Sequence, residues 1–150
     1  MELTYTTAGK QDIEILYRLS KNLIDTYEDI SSIDYEKVLL WVHRKVANNI
    51  SEYTRVCRKG QVAGYYRLTP CDNGLELDDL YILPQFRGQG IGSQVLHRCC
   101  ASGIPLMLYV FSGNARAIAL YERFGFQITE IVGPTRCIMR RPAVPSQEVL

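Results

Sequence analysis

Gln85-Phe86-Arg87-Gly88-Gln89-Gly90-Ile91-Gly92 is the stretch on which the reading turns. It follows a β-rich run, residues 75–83, that Leu83-Pro84 closes. It opens a segment in which Ile91, Val95 and Cys99 recur at steps of four, the spacing of one helical face. A strand-to-helix turn is a natural anion seat, because the first N–H groups of a helix have no partner within it and the positive end of its dipole lies there. Glycines let the backbone approach a phosphate with no Cβ in the way. Two better-known phosphate loops fail on spacing. Walker A needs Lys-Ser/Thr after its last glycine, where Ile91-Gly92 stands, and a G-x-G-x-x-G begun at Gly88 needs glycine at 93, which is Ser93.

Working outward, residues 3–7 read as an edge strand, and Leu16, Leu19 and Leu23 place a helix over 12–27. Ser31, Ser32 and Asp34 supply capping chemistry for a second helix carrying Leu39, Val42, Val46 and Ile50. Residues 53–58 and 62–69 form a hairpin about Lys59-Gly60-Gln61, and Asp72-Asn73-Gly74 turns the chain into the strand before the glycine turn. Beyond the glycine-turn helix, which Gly103 ends, 105–111 is a continuous apolar run, the pattern of a strand covered on both faces. Asn114 caps a short helix with Ala117, Leu120, Tyr121 and Phe124 on one face, and 126–131 and 136–141 close the chain as strands. The order β α α β β β α β α β β predicts an α/β (α+β) fold with one mixed central sheet of six to seven strands, flanked by helices on both faces.

At 150 residues the chain fits one domain, 1–150, with 143–150 as a loose tail. Its formal net charge of +1 provides no field for non-specific nucleic-acid binding, so no nucleic-acid partner is expected. The charge is nevertheless uneven. Residues 1–80 hold 10 Lys/Arg against 13 Asp/Glu, a balance of −3, whereas 81–150 hold seven arginines against three acids, +4. Such a division suits a cationic substrate meeting an anionic cofactor. Five cysteines with no C-x-x-C pair argue against a disulfide scaffold, and neither His43 nor His97 sits at ligand spacing from a cysteine, so no metal is expected. With no signal-like segment and no membrane-length apolar run, the chain reads as soluble and cytoplasmic, with no membrane partner.

Gln85-x-x-Gly88-x-Gly90 resembles the signature of the GNAT superfamily of N-acetyltransferases, which seats the pyrophosphate of acetyl-CoA on this turn. Asn114-x-x-Ala117-x-x-Leu120-Tyr121-x-x-x-Gly125-Phe126 is similar to that superfamily's second signature. The resemblance is clear over roughly 75–130. It implies acetyl-CoA as co-substrate, with Leu80, Tyr81 and Ile82 as the strand edge for the pantetheine arm. By the same likeness Gln85, Arg87, Gly88, Gln89, Gly90, Ile91, Gly92 and Ser93 form the pyrophosphate turn, Asn114 and Ala117 the helix start beside the cofactor, and Tyr121 the tyrosine near the departing thiolate. Arg87, Arg98 and Arg116 are candidate phosphate contacts, since guanidinium forks suit phosphate oxygens.

Amide formation needs a neutral amine, donors for an oxyanion and a proton for the leaving thiolate. Tyr121 fills the last role. Alternation puts Glu76 and Asp78 on one face of their strand and Asp79 on the other, unless a bulge intervenes. The segment Leu77-Asp78-Asp79-Leu80-Tyr81-Ile82 is similar to the polyamine acetyltransferase branch, which by likeness makes Asp78 the base and Asp79 or Glu76 an attractor of a cation. Members that acetylate ribosomal-protein N-termini place a glutamate where Tyr109 stands here, so that base is missing. Asp25, Glu28, Asp29 and Asp34 lie where the superfamily builds its acceptor cleft. The leading expectation is acetyl transfer to a primary amine of a small, cationic acceptor by direct attack in a ternary complex. A peptide or protein N-acetyltransferase and a non-catalytic acyl-CoA-binding module stay open. Sheet-edge pairing at the C-terminal strands allows a homodimer.

Overall fold

The computed structural model describes residues 2–144, so the tail expected over 143–150 lies mostly outside the described residues. The strand and helix order is the expected one: β1 (Leu3–Thr7), α1 (Ile13–Tyr27), α2 (Tyr35–Asn48), β2 (Tyr53–Arg58), β3 (Gln61–Cys71), β4 (Gly74–Ile82), α3 (Ile91–Cys100), β5 (Leu106–Phe111), α4 (Ala115–Arg123), β6 (Gln127–Val132) and β7 (Arg136–Arg141). Seven strands make one sheet in the order β1-β2-β3-β4-β5-β7-β6, and the four helices flank it. The sheet is mixed, with β4 and β5 parallel and β1–β2, β2–β3, β5–β7 and β6–β7 antiparallel. The chain divides into two compact units. One holds the chain up to Arg67 together with Asp79–Gln89, and the other holds Leu68–Asp78 together with the chain from Gly90 onward.

In the first unit, Leu16 and Leu19 of α1 and Val46 of α2 bury against Tyr53, Tyr65 and Tyr81. These are the periodic positions of the sequence, apart from Ile50, which falls in a short 3-10 turn after α2 and not in the helix. Asp34 caps α2 by accepting the Lys37 N–H at 3.3 Å. Lys59 (φ 52°) and Gly60 (φ 78°) make a two-residue hairpin turn, the primed kind that follows the twist of its strands. That turn is one residue shorter than the sequence suggested, and Gln61 begins β3. Gly64 of β3 meets β4 so closely that a Cβ would lie 2.3 Å from the Tyr81 carbonyl oxygen.

The charged exception in this core is Asp12, 2% exposed at the start of α1. Tyr65 donates its hydroxyl to Oδ1 at 2.6 Å, the Gly9 N–H reaches Oδ2 at 2.8 Å, and the Arg55 guanidinium bridges both oxygens. Burial alone pushes this carboxyl up; hydrogen bonds from Arg55, Tyr65 and Gly9 and the Arg55 charge outweigh it and hold the group below its ordinary value.

In the second unit, α3 buries Ile91, Val95, Leu96 and Cys99, and burial raises the Cys99 thiol to about 12, which keeps it an inert packing group. β5 pairs with β7 along its whole length, from Leu106↔Arg141 to Phe111↔Arg136. The expectation that both faces of β5 are covered fails at Tyr109, which is 44% exposed with the Arg136 guanidinium 4.8 Å from its ring centre. An apolar run marks a strand but does not say which face a neighbour covers. β6, the outer strand beside β7, is exposed at all six residues, Ile131 at 73%.

Candidate active site

In the second unit the glycine turn ends at the N-terminus of α3. Gly90 sits in the left-handed region (φ 81°) as the residue before the helix, and the first hydrogen bond of the helix runs from the Gln94 N–H to the Gly90 carbonyl. The N–H groups of Ile91, Gly92 and Ser93 therefore have no acceptor within the helix, the arrangement that suits an anion. No atom lies within 4 Å of where a Cβ would stand at Gly90. The glycine is required for its backbone conformation, and it leaves the approach open. Both properties fit a bound diphosphate. Arg98 is in the last turn of α3, at the end away from this seat, so its proposed phosphate contact lacks geometric support.

The same unit holds Glu76, Asp78, Asn114, Ala117 and Tyr121. Glu76 pairs with Met107 of β5. Asn114 caps α4, its Oδ1 accepting the Ala117 N–H at 3.3 Å, which ties together the first two positions of that motif. Tyr121 is buried, its ring 5.6 Å from that of Phe126, and its carbonyl accepts the Phe126 N–H at 3.2 Å. These contacts fix the ring that the sequence singles out.

The first unit holds Leu80, Tyr81, Ile82, Gln85, Arg87, Gly88 and Gln89. Arg87 donates Nε to the Ile82 carbonyl at 3.0 Å, pinning the arginine to the end of β4. Gln89 accepts from Arg58 and donates to the Gln85 carbonyl at 3.4 Å. Gly88 is left-handed (φ 77°), again with open space where a Cβ would stand.

Asp79 belongs to this unit too, and here the structure adds what alternation could not show. Its φ is +64° in the middle of β4. Its carboxylate receives the Tyr53 hydroxyl at 2.7 Å, the Tyr81 hydroxyl at 2.9 Å and the Lys45 ammonium at 3.3 Å. Lys45 also lies 5.8 Å from the ring centre of Trp41, the chain's only tryptophan, which is 63% exposed on α2. Lys45 and Tyr53 carried no motif in the sequence and were missed there.

The acids expected to line an acceptor cleft between α1 and α2 have internal partners. Asp25 binds Lys21 at 2.8 Å and the Tyr35 hydroxyl at 2.6 Å, and these hydrogen bonds hold its carboxyl below the ordinary value. The Asp29 carboxylate accepts from the Ser31 hydroxyl, its backbone carbonyl accepts from Ser32, and Asp34 caps α2. Glu28 is the residue that ends α1, its N–H bonded to the Ile24 carbonyl.

The model of the Acetyltransferase (GNAT) family matches residues 16–126. This chain belongs to that family. Among GNAT relatives, the peptidyl-lysine N-acetyltransferase YjaB of Salmonella typhimurium is 26% identical over 129 residues, 86% of each chain. Thialysine N-epsilon-acetyltransferase of Bos taurus is 38% identical over 63 residues, 38% of this chain, and mycothiol acetyltransferase of Streptomyces griseus is 33% identical over 82, 49% of it. The aligned parts are 37% and 26% of the lengths of those two relatives, so with them the likeness is partial. In fold, the apo form of YjaB from Escherichia coli superposes with a TM-score of 0.70 at 19% identity, covering 96% of this chain and 100% of the other. The PaiA N-acetyltransferase of Thermoplasma acidophilum, solved with coenzyme A, gives 0.66 at 21% identity, covering 95% and 99%.

Proposed function

We propose that this GNAT chain is an acetyl-CoA-dependent N-acetyltransferase acting on the primary amine of a small, cationic acceptor. The observation that carries the reading is the α3 N-terminus, with its unpaired N–H groups and left-handed, unobstructed Gly90, placed directly after β4. When bound, acetyl-CoA supplies the activated acetyl group as a thioester. The N–H groups of Ile91, Gly92 and Ser93 would hold the pyrophosphate. The backbone of Leu80, Tyr81 and Ile82 would align the pantetheine arm. Asp78 accepts the proton of the attacking amine, directly or through water, and Glu76 attracts its positive charge. Tyr121 offers a hydroxyl proton to the departing sulfur.

A lysine side chain is the second reading, because YjaB, named as a peptidyl-lysine N-acetyltransferase, aligns over 86% of both chains. Both readings ask the site for the same chemistry, a primary amine on a flexible cationic arm. Free thiol release from acetyl-CoA separates them when read against spermidine, free amino acids, an aminoglycoside, a lysine-containing peptide and an N-terminal peptide. Release with a small amine, lost in Asp78→Asn and Tyr121→Phe, supports the first reading. Release with the lysine peptide alone selects the second, and acetyl-CoA binding without turnover on any amine points to a non-catalytic module.

The reading includes a homodimer. β6 leaves its outer backbone edge unpaired in the sheet and exposes Ile128, Ile131 and Val132.

A further inference from the structure

Among the described residues, two other than glycine have positive φ, Lys59 and Asp79. Lys59 is explained by its hairpin, since a primed two-residue turn requires that conformation. Asp79 stands inside a strand, where nothing about the turn chemistry asks for it. A left-handed L residue is disfavoured by its own Cβ and persists only when its surroundings over-determine it. The surroundings here are three donors converging on one side chain. Tyr53 and Lys45 reach Oδ2 at 2.7 and 3.3 Å, and Tyr81 reaches Oδ1 at 2.9 Å. Tyr53 and Tyr81 are buried at 1% and 7%, so their hydroxyls are aimed by packing and do not follow the carboxylate. Asp79, Tyr53, Tyr81 and Lys45 all belong to the first unit, which begins anew at Asp79 after the chain leaves the second at Asp78.

We propose that Asp79 is a positioning residue: its carboxylate, held by Tyr53, Tyr81 and Lys45, fixes a left-handed kink that sets the backbone of Leu80, Tyr81 and Ile82 for the acetyl donor. This rests on the function proposed above and replaces the cation-attracting role expected of Asp79 from its sequence, because a carboxylate engaged by three protein donors is an anchor for the strand and not an attractor for the acceptor. Glu76 before the kink is in register with Met107 of β5, and beyond it the Leu83 N–H pairs with the Ala63 carbonyl of β3.

Replacements at this position separate backbone from carboxylate. Asparagine tolerates the left-handed region and keeps a carbonyl oxygen for the tyrosines, glycine adopts the kink without any anchor, and alanine has neither property. Steady-state kinetics with the best amine of the panel, acetyl-CoA affinity by calorimetry and thermal melting are measured for the wild type, Asp79→Asn, Asp79→Gly and Asp79→Ala. The expected order of kcat/KM is wild type, Asn, Gly, Ala. Asparagine is expected within about 3-fold of wild type, and alanine roughly 5- to 30-fold below it, the range that the left-handed penalty converts to. The loss appears as a raised KM and weakened affinity for acetyl-CoA, with the acceptor KM unmoved. Tyr53→Phe moves the same parameters in the same direction.

Asparagine as inactive as alanine overturns the proposal, since the charge itself would then be acting on the acceptor or its proton. Alanine equal to wild type overturns it as well. Should no amine turn over, the calorimetric order still decides the positioning role, whereas a wild type that fails to bind acetyl-CoA refutes the function reading and this inference with it.

Discussion

Replacing Asp12 tests whether the first unit depends on a buried charge. Removal of one partner from a buried ion pair costs roughly 3–5 kcal/mol, because the other is left without compensation. The Arg55 side chain keeps 17% of its exposure and can turn toward water, so Asp12→Ala should fall near the lower end, about 3 kcal/mol. For a chain of this length that is a fall in Tm of about 6–12 °C. Asp12→Asn should lose about half as much, since an amide oxygen still accepts from Tyr65. The pH dependence follows from the lowered carboxyl of Asp12. A carboxyl lower in the folded than in the unfolded chain contributes stability above the unfolded value, about 3.9, and loses it as pH falls through the folded value. Denaturant unfolding of wild type and Asp12→Asn at pH 7, 5, 4 and 3 should therefore show the two curves converging below about pH 4. An Asp12→Ala protein within about 1 kcal/mol of wild type at pH 7, or an Asn variant with an unchanged acid limb, would refute the argument.

Gly64→Ala forces a Cβ to within 2.3 Å of a backbone oxygen that cannot swing aside, and denaturant unfolding should show a loss of about 3 kcal/mol or more. Gly90→Ala meets nothing within 4 Å but must adopt φ 81°, so roughly 1–2 kcal/mol should be lost from acetyl-CoA binding, or about 5- to 30-fold in Kd by calorimetry. On the homodimer proposed above, Ile131→Lys places a charge on the β6 edge and should shift sedimentation from dimer to monomer without changing Tm of the monomer by more than about 2 °C.

Legibility from sequence followed the range of the physics. Periodicity located α1, α2 and α3 because Leu16, Leu19, Val46, Ile91 and Val95 are core residues at regular spacing, and local chemistry found the caps at Asp34 and Asn114. The glycine turn was readable because its requirement is local, a positive φ followed by a helix start. What could not be read depends on partners distant in the chain. Asp79 meets Tyr53 and Lys45, 26 and 34 positions away, and Asp25, expected to line an acceptor cleft, is engaged by the Tyr35 hydroxyl ten positions on. A carboxylate's neighbours decide whether it attracts a ligand or braces the fold, and sequence alone carries the carboxylate without the neighbours.

Trp41 gives the chain an unusual optical property. Its indole is 63% exposed, so its emission in the folded protein already lies near that of indole in water, and global unfolding should shift it little. The core is seen instead through buried tyrosines such as Tyr53 and Tyr65. Yet Trp41 stands one helical turn from Lys45, whose ammonium is shared between the indole face and Asp79. Intensity at this indole should therefore respond to where that ammonium sits. A spectroscopist following it would be watching the anchor of β4 and not the core.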